Sequence, residues 1–460
     1  MLPIVTPEEM RAIDAAALKS VSLTTLIERA GAAVMWSALR MLGGTYGRRV
    51  VVLAGPGNNG ADGRVAARRL AERNVHVTLF DVASRPPMLP ECDLVIDAAY
   101  GTGFRGLWNP PRLSGSPMVL AVDIPSGVNG LTGEAASGVL AANRTITFAA
   151  LKPGLLLGAG AIAAGVVEVA DIGLSCEAAL GHLVEACDVA AWYPVRQATA
   201  HKWRAAVRVI AGSIGMTGAA HLASAGAMRA GAGMVHLSVP GAGEVEGAHE
   251  YVVRPIPPVS WADDVLRSID RFQSIVIGPG LGRNEATIAA IRETISSVRL
   301  PAVIDGDGLY ALAWSKAGAV PVLGARQAAT VLTPHDGEFA LLTGSAPGAD
   351  RIQAARRLAQ DLKVVVLLKG PATIVAEPSG RVLVSNSGDQ RLATAGTGDV
   401  LAGIIGALLA QDVSAFEAAA AGAWIHGRAG QLGQARGLVA SDLLTLIPQV
   451  LRGIPQVLRG

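Results

Sequence analysis

The chain is poor in several features that mark specialised proteins. Only three of its 460 residues are cysteine, and Cys92, Cys176 and Cys187 make no CxxC pair. That excludes a disulfide framework and a thiolate zinc site, and fits a reducing, cytoplasmic setting. Charged residues are only 17% of the chain, so long disordered tracts are not expected. Lysine is scarce beside arginine, the arginines are scattered, and the net charge is +2. No nucleic-acid surface follows from that balance. The longest uncharged apolar run, Gly154 to Val167, is about fourteen residues and too short to span a bilayer, so no membrane partner is expected. Glu8, Glu9 and Arg11 close to the start argue against a secretion signal.

What the chain has is apolar residues, 51%, and enough length for two or three domains. Its organising stretch is Ala393-Thr394-Ala395-Gly396-Thr397-Gly398-Asp399, a glycine-rich turn running into an apolar helix from Val400 to Leu409. Unpaired N–H groups at a helix start, with the helix dipole, bind phosphate. Gly396 and Gly398 keep Cβ atoms out of the way. Asp399 then lies beside the anion, either as a base for an attacking hydroxyl or simply as a helix cap.

The first half alternates strands and helices. Strands are expected at Arg49–Ala54, 75–80, Leu94–Ala98 and Met118–Val122, with helices from Pro7 and over 25–42. This pattern means a parallel α/β sheet, with ligands at the carboxyl ends of its strands. There lie Asn58-Asn59-Gly60-Ala61-Asp62, then Asp97 with Gly101-Thr102-Gly103-Phe104-Arg105-Gly106-Leu107, then Asp123-Ile124-Pro125-Ser126. The glycine-rich turns suit pyrophosphate. Oxygens of Asn59, Asp97 and Ser126 suit a hard cation, and ordinary turn chemistry is the bland alternative.

These motifs, with Phe148-Ala149-Ala150-Leu151-Lys152-Pro153-Gly154, resemble the YjeF N-terminal domain family, whose enzymes epimerise hydrated NAD(P)H. The resemblance covers roughly residues 4 to 190 and implies a Rossmann-like domain. It implies that Asn58, Asn59, Gly60, Ala61 and Asp62, the 101–107 loop and Asp123 contact the hydrated nucleotide. It also implies potassium (K+) on Asn59, Asp97 and Ser126. Asp123 is the first choice for the acid–base group and Lys152 the second. Ala61 stands where the family usually has glycine.

The pattern lapses between about Ala186 and Ala206, which sets expected domains of 1–195 and 196–460. Beyond it, strands near 207–211, 234–239, Ser274–Ile277, Ala302–Ile304, Thr330–Leu332 and 364–368 each end in a polar or glycine-rich loop. Those loops include Gly212-Ser213, Gly278-Pro279-Gly280-Leu281-Gly282, Thr333-Pro334-His335-Asp336-Gly337-Glu338 and Lys369-Gly370-Pro371-Ala372-Thr373. Ending in the Gly396–Asp399 turn, this order resembles the ribokinase-like small-molecule kinases, and among them the ATP- or ADP-dependent NAD(P)H-hydrate dehydratases. The implied fold is a pair of three-layer α/β domains, Rossmann-like then ribokinase-like.

The resemblance makes Asp399 the base and places Lys369, Gly370, Pro371, Ala372, Thr373 and Gly398 on ADP or ATP with Mg2+. Ala219, Gly282, His335 and Asp399 line the hydrate pocket. It implies a homo-oligomer that uses NADHX and NADPHX, binding neither nucleic acid nor membrane. The alternatives are a vitamin or sugar kinase with an N-terminal nucleotide-binding module, or a first half that binds without turnover. His201-Lys202-Trp203-Arg204 departs from the family's usual His-Lys-Gly opening.

Overall fold

The computed structural model describes residues 1–104, 106, 108–242, 250–313 and 318–454. It divides into two compact units, Leu2–Gly181 and His182–Gly460, with Met1 counted in the second.

The first unit runs β1 (Leu2–Ile4), α1 (Pro7–Ala17), α2 (Leu23–Leu42), β2 (Arg49–Ala54), α3 (Asn58–Ala71) and β3 (His76–Asp81). It continues with β4 (Leu94–Ala98), β5 (Met118–Val122), β6 (Arg144–Phe148), α4 (Gly158–Ala164) and β7 (Val166–Ala170). Thr6 starts α1 with a full capping box, its side chain taking the Glu9 N–H while Glu9 accepts from the Thr6 N–H. The sheet order β3-β2-β4-β5-β6-β7 is parallel throughout. Val50, Val52, Ile96, Leu120 and Ile146 join Val34, Met35 and Ala38 of α2 in one core. Val51, Leu53, Val95, Val119 and Ala121 point to the other face, where Leu89, Leu140 and Ala142 cover them. Both faces are thus dry, which is why the strands read as apolar runs without alternation.

β6 and β7 are not among the expected strands. Arg144 and the glycine-broken run before Val166 hid them, and only pairing with β5 reveals the edge of the sheet.

The second unit opens with β8 (Gly181–Leu183) and α5 (Ala186–Trp192), then β9 (Ala206–Ile210), α6 (Thr217–Arg229), β10 (Met234–Ser238), β11 (Val252–Val253) and α7 (Ala262–Leu266). Next come β12 (Ser274–Ile277), α8 (Glu285–Ser297), β13 (Ala302–Ile304), α9 (Asp307–Ala313), α10 (Val320–Gly324) and β14 (Thr330–Leu332). It ends with α11 (Asp336–Thr343), α12 (Arg351–Leu362), β15 (Val365–Leu368), β16 (Thr373–Ala376), β17 (Val382–Ser385), α13 (Thr397–Leu409), α14 (Ala415–Leu432) and α15 (Ala440–Arg452). The strand order is β17-β16-β15-β14-β13-β12-β9-β10-β11. From β11 to β15 the pairs are parallel. β15-β16-β17 is an antiparallel meander, and β16 and β17 are additions to the expected strands.

Eleven of the thirteen residues of α13 are buried, so this helix is enclosed rather than amphipathic. It lies against Val207, Val276 and Val303 on one side and α6, α14 and α15 on the others. Each of its fully buried leucines and isoleucines contributes about 1.5–3 kcal/mol. Gly403 makes the contact with α6 possible, since a Cβ there would meet the Ala223 carbonyl oxygen at 2.1 Å. Among the described residues no helix is long and apolar enough to cross a membrane. Gly403→Ala is expected to lower stability by about 1–3 kcal/mol through overpacking, read from urea unfolding of the full chain followed by tryptophan fluorescence. An unchanged midpoint and slope would count against this packing account.

Candidate active sites

In the first unit, β2 delivers the Gly55–Gly63 segment to the carboxyl edge of the sheet. Gly57 is the N-cap of α3, so the first N–H groups of Asn58, Asn59 and Gly60 face outward from a helix start. A Cβ at Gly60 would meet the Gly55 carbonyl oxygen at 1.9 Å, and one at Gly55 would meet that of Ala99 at 1.8 Å. The turn therefore has room for glycine alone at both positions. Ala61 is in the first turn of α3 and is not among the residues with positive φ, so its methyl group strains nothing.

Asn58, Asn59, Asp62, Gly101, Thr102, Gly103, Phe104 and Asp123 all line one cavity of about 550 Å3. Gly60 and Ala61 lie in the α3 turn below it, and Gly106 is exposed. Arg105 and Leu107 lie outside the described residues. The opposite wall comes from α1 and α2, with Met10, Asp14, Leu26 and Ile27, which the sequence reading did not assign.

Asp123 closes the floor in a left-handed conformation, φ 64°, costing about 1–3 kcal/mol for a residue with a Cβ. Its N–H donates to the Ile146 carbonyl at 2.7 Å, and its carboxylate pairs with Lys152 Nζ at 2.7 Å and accepts from Thr147 Oγ1 at 3.1 Å. Lys152 is 1% exposed and also donates to Thr147 Oγ1 and the Phe148 carbonyl. Burial, then the nearby Asp123 charge, pushes the Asp62 carboxyl up to about 8. Burial likewise raises Asp14, with Lys152 opposing and Asp123 assisting.

The three expected cation ligands are at neighbouring strand ends. Asp97 is fully buried and accepts from Ser126 Oγ at 2.7 Å, the Ser126 N–H at 2.9 Å and the Ala99 N–H at 3.3 Å. Burial raises its carboxyl pKa against those bonds. Both side-chain amide atoms of Asn59 are buried without a partner, an arrangement that costs free energy unless something is bound. A buried amide oxygen beside a buried carboxylate and a hydroxyl is a donor set for a hard cation of low charge.

In the second unit, Gly396 takes the left-handed conformation, φ 89°, as N-cap of α13. Thr397 fastens the turn by donating from Oγ1 to the Leu392 and Thr394 carbonyls. Asp399 is in the first turn, and burial, then Asp305, pushes its carboxyl up to about 7 against the pull of Lys369. Lys369 bonds Asp305 at 2.8 Å and is 3.8 Å from Glu338. Burial opposes the charge of Lys369, yet Asp305, Glu338 and Asp399 outweigh it and raise the pKa. A Cβ on Gly398 would be 3.4 Å from Lys369 Nζ, so the lysine reaches the helix start.

Lys369-Gly370-Pro371-Ala372-Thr373 forms the turn between β15 and β16. Arg351 braces it through the Lys369 carbonyl at 2.8 Å. Ala219 is on α6 against Gly280, and the Gly282 N–H donates to Asp307 at 2.8 Å. His335 is the exposed N-cap of α11, its Nδ1 accepting from the Gly337 and Glu338 N–H groups while Glu338 accepts from the His335 N–H. That assigns the ring proton to Nε2 and leaves this N–H as the ring's remaining donor. Asp305, Asp307 and Glu338 stand in motifs visible in the sequence, but the grip of Asp305 and Glu338 on Lys369 and the pressure of all three charges on Asp399 needed the tertiary contacts.

Two α/β units, each with glycine-rich turns and buried carboxylates at a sheet edge, describe a two-site enzyme of nucleotide-like substrates, its second unit ribokinase-like. Residues 207–452 match the family described as NAD(P)H-hydrate dehydratase, and 23–92 and 81–154 match the YjeF-related protein N-terminus. The bifunctional NAD(P)H-hydrate repair enzyme Nnr of Moorella thermoacetica is 35% identical over 98% of this chain and 97% of its own. That of Salinibacter ruber is 34% identical over 97% and 96%. The ADP/ATP-dependent NAD(P)H-hydrate dehydratase of Bacillus subtilis, co-crystallised with ATP/Mg2+, superposes on 58% of this chain and 96% of its own with TM-score 0.50 and 29% identity. The chain belongs to the family of bifunctional NAD(P)H-hydrate repair enzymes.

The Asp62 shift carries a signed consequence for stability. The folded chain holds this proton up to about pH 8, while the unfolded chain releases it near 3.8. Its contribution is full below the unfolded value and is lost as pH rises to about 8. Asp62→Asn, which keeps the shape without the titration, is expected to melt closer to wild type at pH 4 and higher than wild type at pH 9. Parallel melting curves for the two proteins from pH 4 to 9 would contradict this.

Proposed function

We propose that the chain repairs hydrated nicotinamide cofactors at two sites, one in each unit. The first unit carries epimerisation of R- and S-NAD(P)HX, and the second carries dehydration of the S epimer to NAD(P)H at the expense of ADP or ATP. The observation that carries the second assignment is Asp399, a carboxyl with pKa about 7 at the head of a glycine-capped helix beside Lys369.

Dehydration needs a better leaving group than hydroxide. Asp399 takes the proton of the ring hydroxyl as that oxygen attacks the terminal phosphoryl group of the nucleotide. N–H groups from Ala395 to Gly398 hold the transferred group, and Lys369, fixed by Asp305 and Glu338, balances its charge. The ring nitrogen's lone pair then expels phosphate, and loss of a proton from the adjacent ring carbon restores the ring double bond. Magnesium enters with the nucleotide as part of the substrate. Lys369 to Thr373 and Gly398 hold the donor, and Ala219, Gly282 and His335 line the hydrate pocket, His335 donating from Nε2.

In the first unit the Asn58–Asp62 turn and the 101–107 loop bind the nucleotide part of the hydrate. Asp123, held by Lys152, moves the proton that lets the hydroxyl-bearing carbon invert. Asp62, largely protonated at neutral pH, serves as a donor to an anionic ligand without repelling it. Asn59, Asp97 and Ser126 fit potassium, which when bound supplies a positive charge beside the ligand's phosphates. A vitamin or sugar kinase is disfavoured, because relatives matching both units carry the repair-enzyme name.

With both NADHX epimers, ADP, magnesium and potassium, absorbance of the reduced nicotinamide is expected to recover fully. Asp399→Ala should slow this by about 10²–10⁴-fold. The wild-type dehydration step, isolated with the S epimer, should fall as pH drops below about 7, since the base must be ionised. Accumulation of a stable phosphorylated product would instead indicate a kinase. Asp123→Ala, or replacement of potassium by tetramethylammonium, is expected to stop recovery at the S fraction while dehydration of S-NADHX continues unchanged. Full recovery at wild-type rate in both cases would remove Asp123 and the cation from the epimerase.

A further inference from the structure

The second unit contains a cavity of about 330 Å3 that takes in none of the groups above. It lies beside the middle of β9 and β10, where Arg208 and His236 are direct partners across the two strands. The catalytic groups, by contrast, are at the carboxyl ends of the strands. Arg208 is 2% exposed and His236 5%, and Arg254 and Arg271 complete a cationic lining.

Arg208 gives one N–H to Ser238 Oγ at 2.7 Å, while its Nε and Nη1 are buried without a partner. Among the described residues no ion pair joins Arg208, Arg254 or Arg271 to a carboxylate. Asp264, the carboxylate in the lining, pairs with Arg267 at 2.8 Å. A buried guanidinium with unmade bonds is costly, and two further guanidiniums facing the same space add repulsion. Burial, then Arg254, lowers the Arg208 pKa to about 10, so it stays charged. Burial and the three arginines lower His236 to about 4, leaving a neutral ring that adds no positive charge at pH 7.

Trp203, in the short helical turn before β9, has a place here. The Arg271 guanidinium lies 4.1 Å from its ring centroid, and Trp203, His236 and Phe272 stack edge to face within 5.8 Å of one another. The bulky ring thus steadies Arg271 and packs against His236 and Phe272 of the lining.

We propose that this cavity binds a tetrahedral oxyanion of the phosphate class, held by Arg208, Arg254 and Arg271, at a site separate from the nucleotide cradle. The pattern of planar, charged donors around one space is the one that matches phosphate oxygens in pairs. The anion would tie β9 to the segment after β11 and so stabilise the outer strands of the sheet. A free phosphate and the phosphoryl end of a nucleotide present the same chemistry.

The test titrates inorganic phosphate into the full chain kept saturated with ADP and magnesium, with ionic strength held constant by chloride. A saturable rise in melting temperature, with one phosphate per chain by calorimetry, is expected. Arg254→Gln and Arg271→Gln, both at exposed positions, should weaken it by roughly tenfold each. Arg208→Met should abolish it, and unchanged S-NADHX dehydration by that variant would show that it folds. Competition by AMP would assign the site to a nucleotide's phosphoryl group, and its absence to free phosphate. No phosphate response in the saturated wild type, or an equal response in Arg254→Gln and Arg271→Gln, would overturn the proposal.

Discussion

Both candidate sites are organised around an ammonium group held against carboxylates where little water reaches. Lys152 is fixed by Asp123, Thr147 and the Phe148 carbonyl. Lys369 is fixed by Asp305 with Glu338 and Asp399 nearby. Lys152 could not be buried alone, because desolvating an unpaired ammonium would cost several kcal/mol, and the partly exposed Lys369 bears a smaller share of that cost. Neither set of carboxylates could crowd together without its lysine. The pairs set the position of the reacting groups, and the strands and helices set the position of the pairs.

The parallel sheet supplies that second level. In each unit successive strands return in the same direction, so every loop that follows a strand arrives at the same edge. The cost is that both faces must be covered, which the first unit meets with α2 and α3 on one side and extended segments on the other. On one face of the second unit's sheet the enclosed helix α13 supplies that cover, and this is where sheet packing and chemistry join. The residues that bury α13 against the sheet also point its N-terminus at Lys369, so core stability and anion binding share one element.

The buried charges also separate the roles of similar residues. Asp62 and Asp399 are raised to about 8 and about 7, the first suited to staying protonated and the second to losing and gaining a proton near neutrality. Their difference comes from surroundings alone, since Asp399 has Lys369 beside it while Asp62 feels chiefly burial and Asp123. Arg208 is the opposite case, a buried cation that no carboxylate pairs among the described residues.

Much of this was legible in the sequence. Arg49–Ala54, Leu94–Ala98 and Met118–Val122 are strands as read from their apolar runs. The glycine-rich segments after them are the turns, because close backbone approach leaves no room for a Cβ at Gly55 or Gly60. The strands β6 and β7 and the β16–β17 hairpin were not legible, since a short strand is defined by its neighbour more than by its own residues. Nor were the α1–α2 wall with Asp14, the clamp of Asp305 and Glu338 on Lys369, or the cluster around Arg208 and Trp203. By itself the sequence determined the alternation of elements, the edge at which ligands meet the sheet and the residue types offered there, because periodicity and glycine act locally. Tertiary structure alone decided which charges are buried together, and therefore which carboxyls keep their protons, because that depends on contacts between residues far apart in the chain.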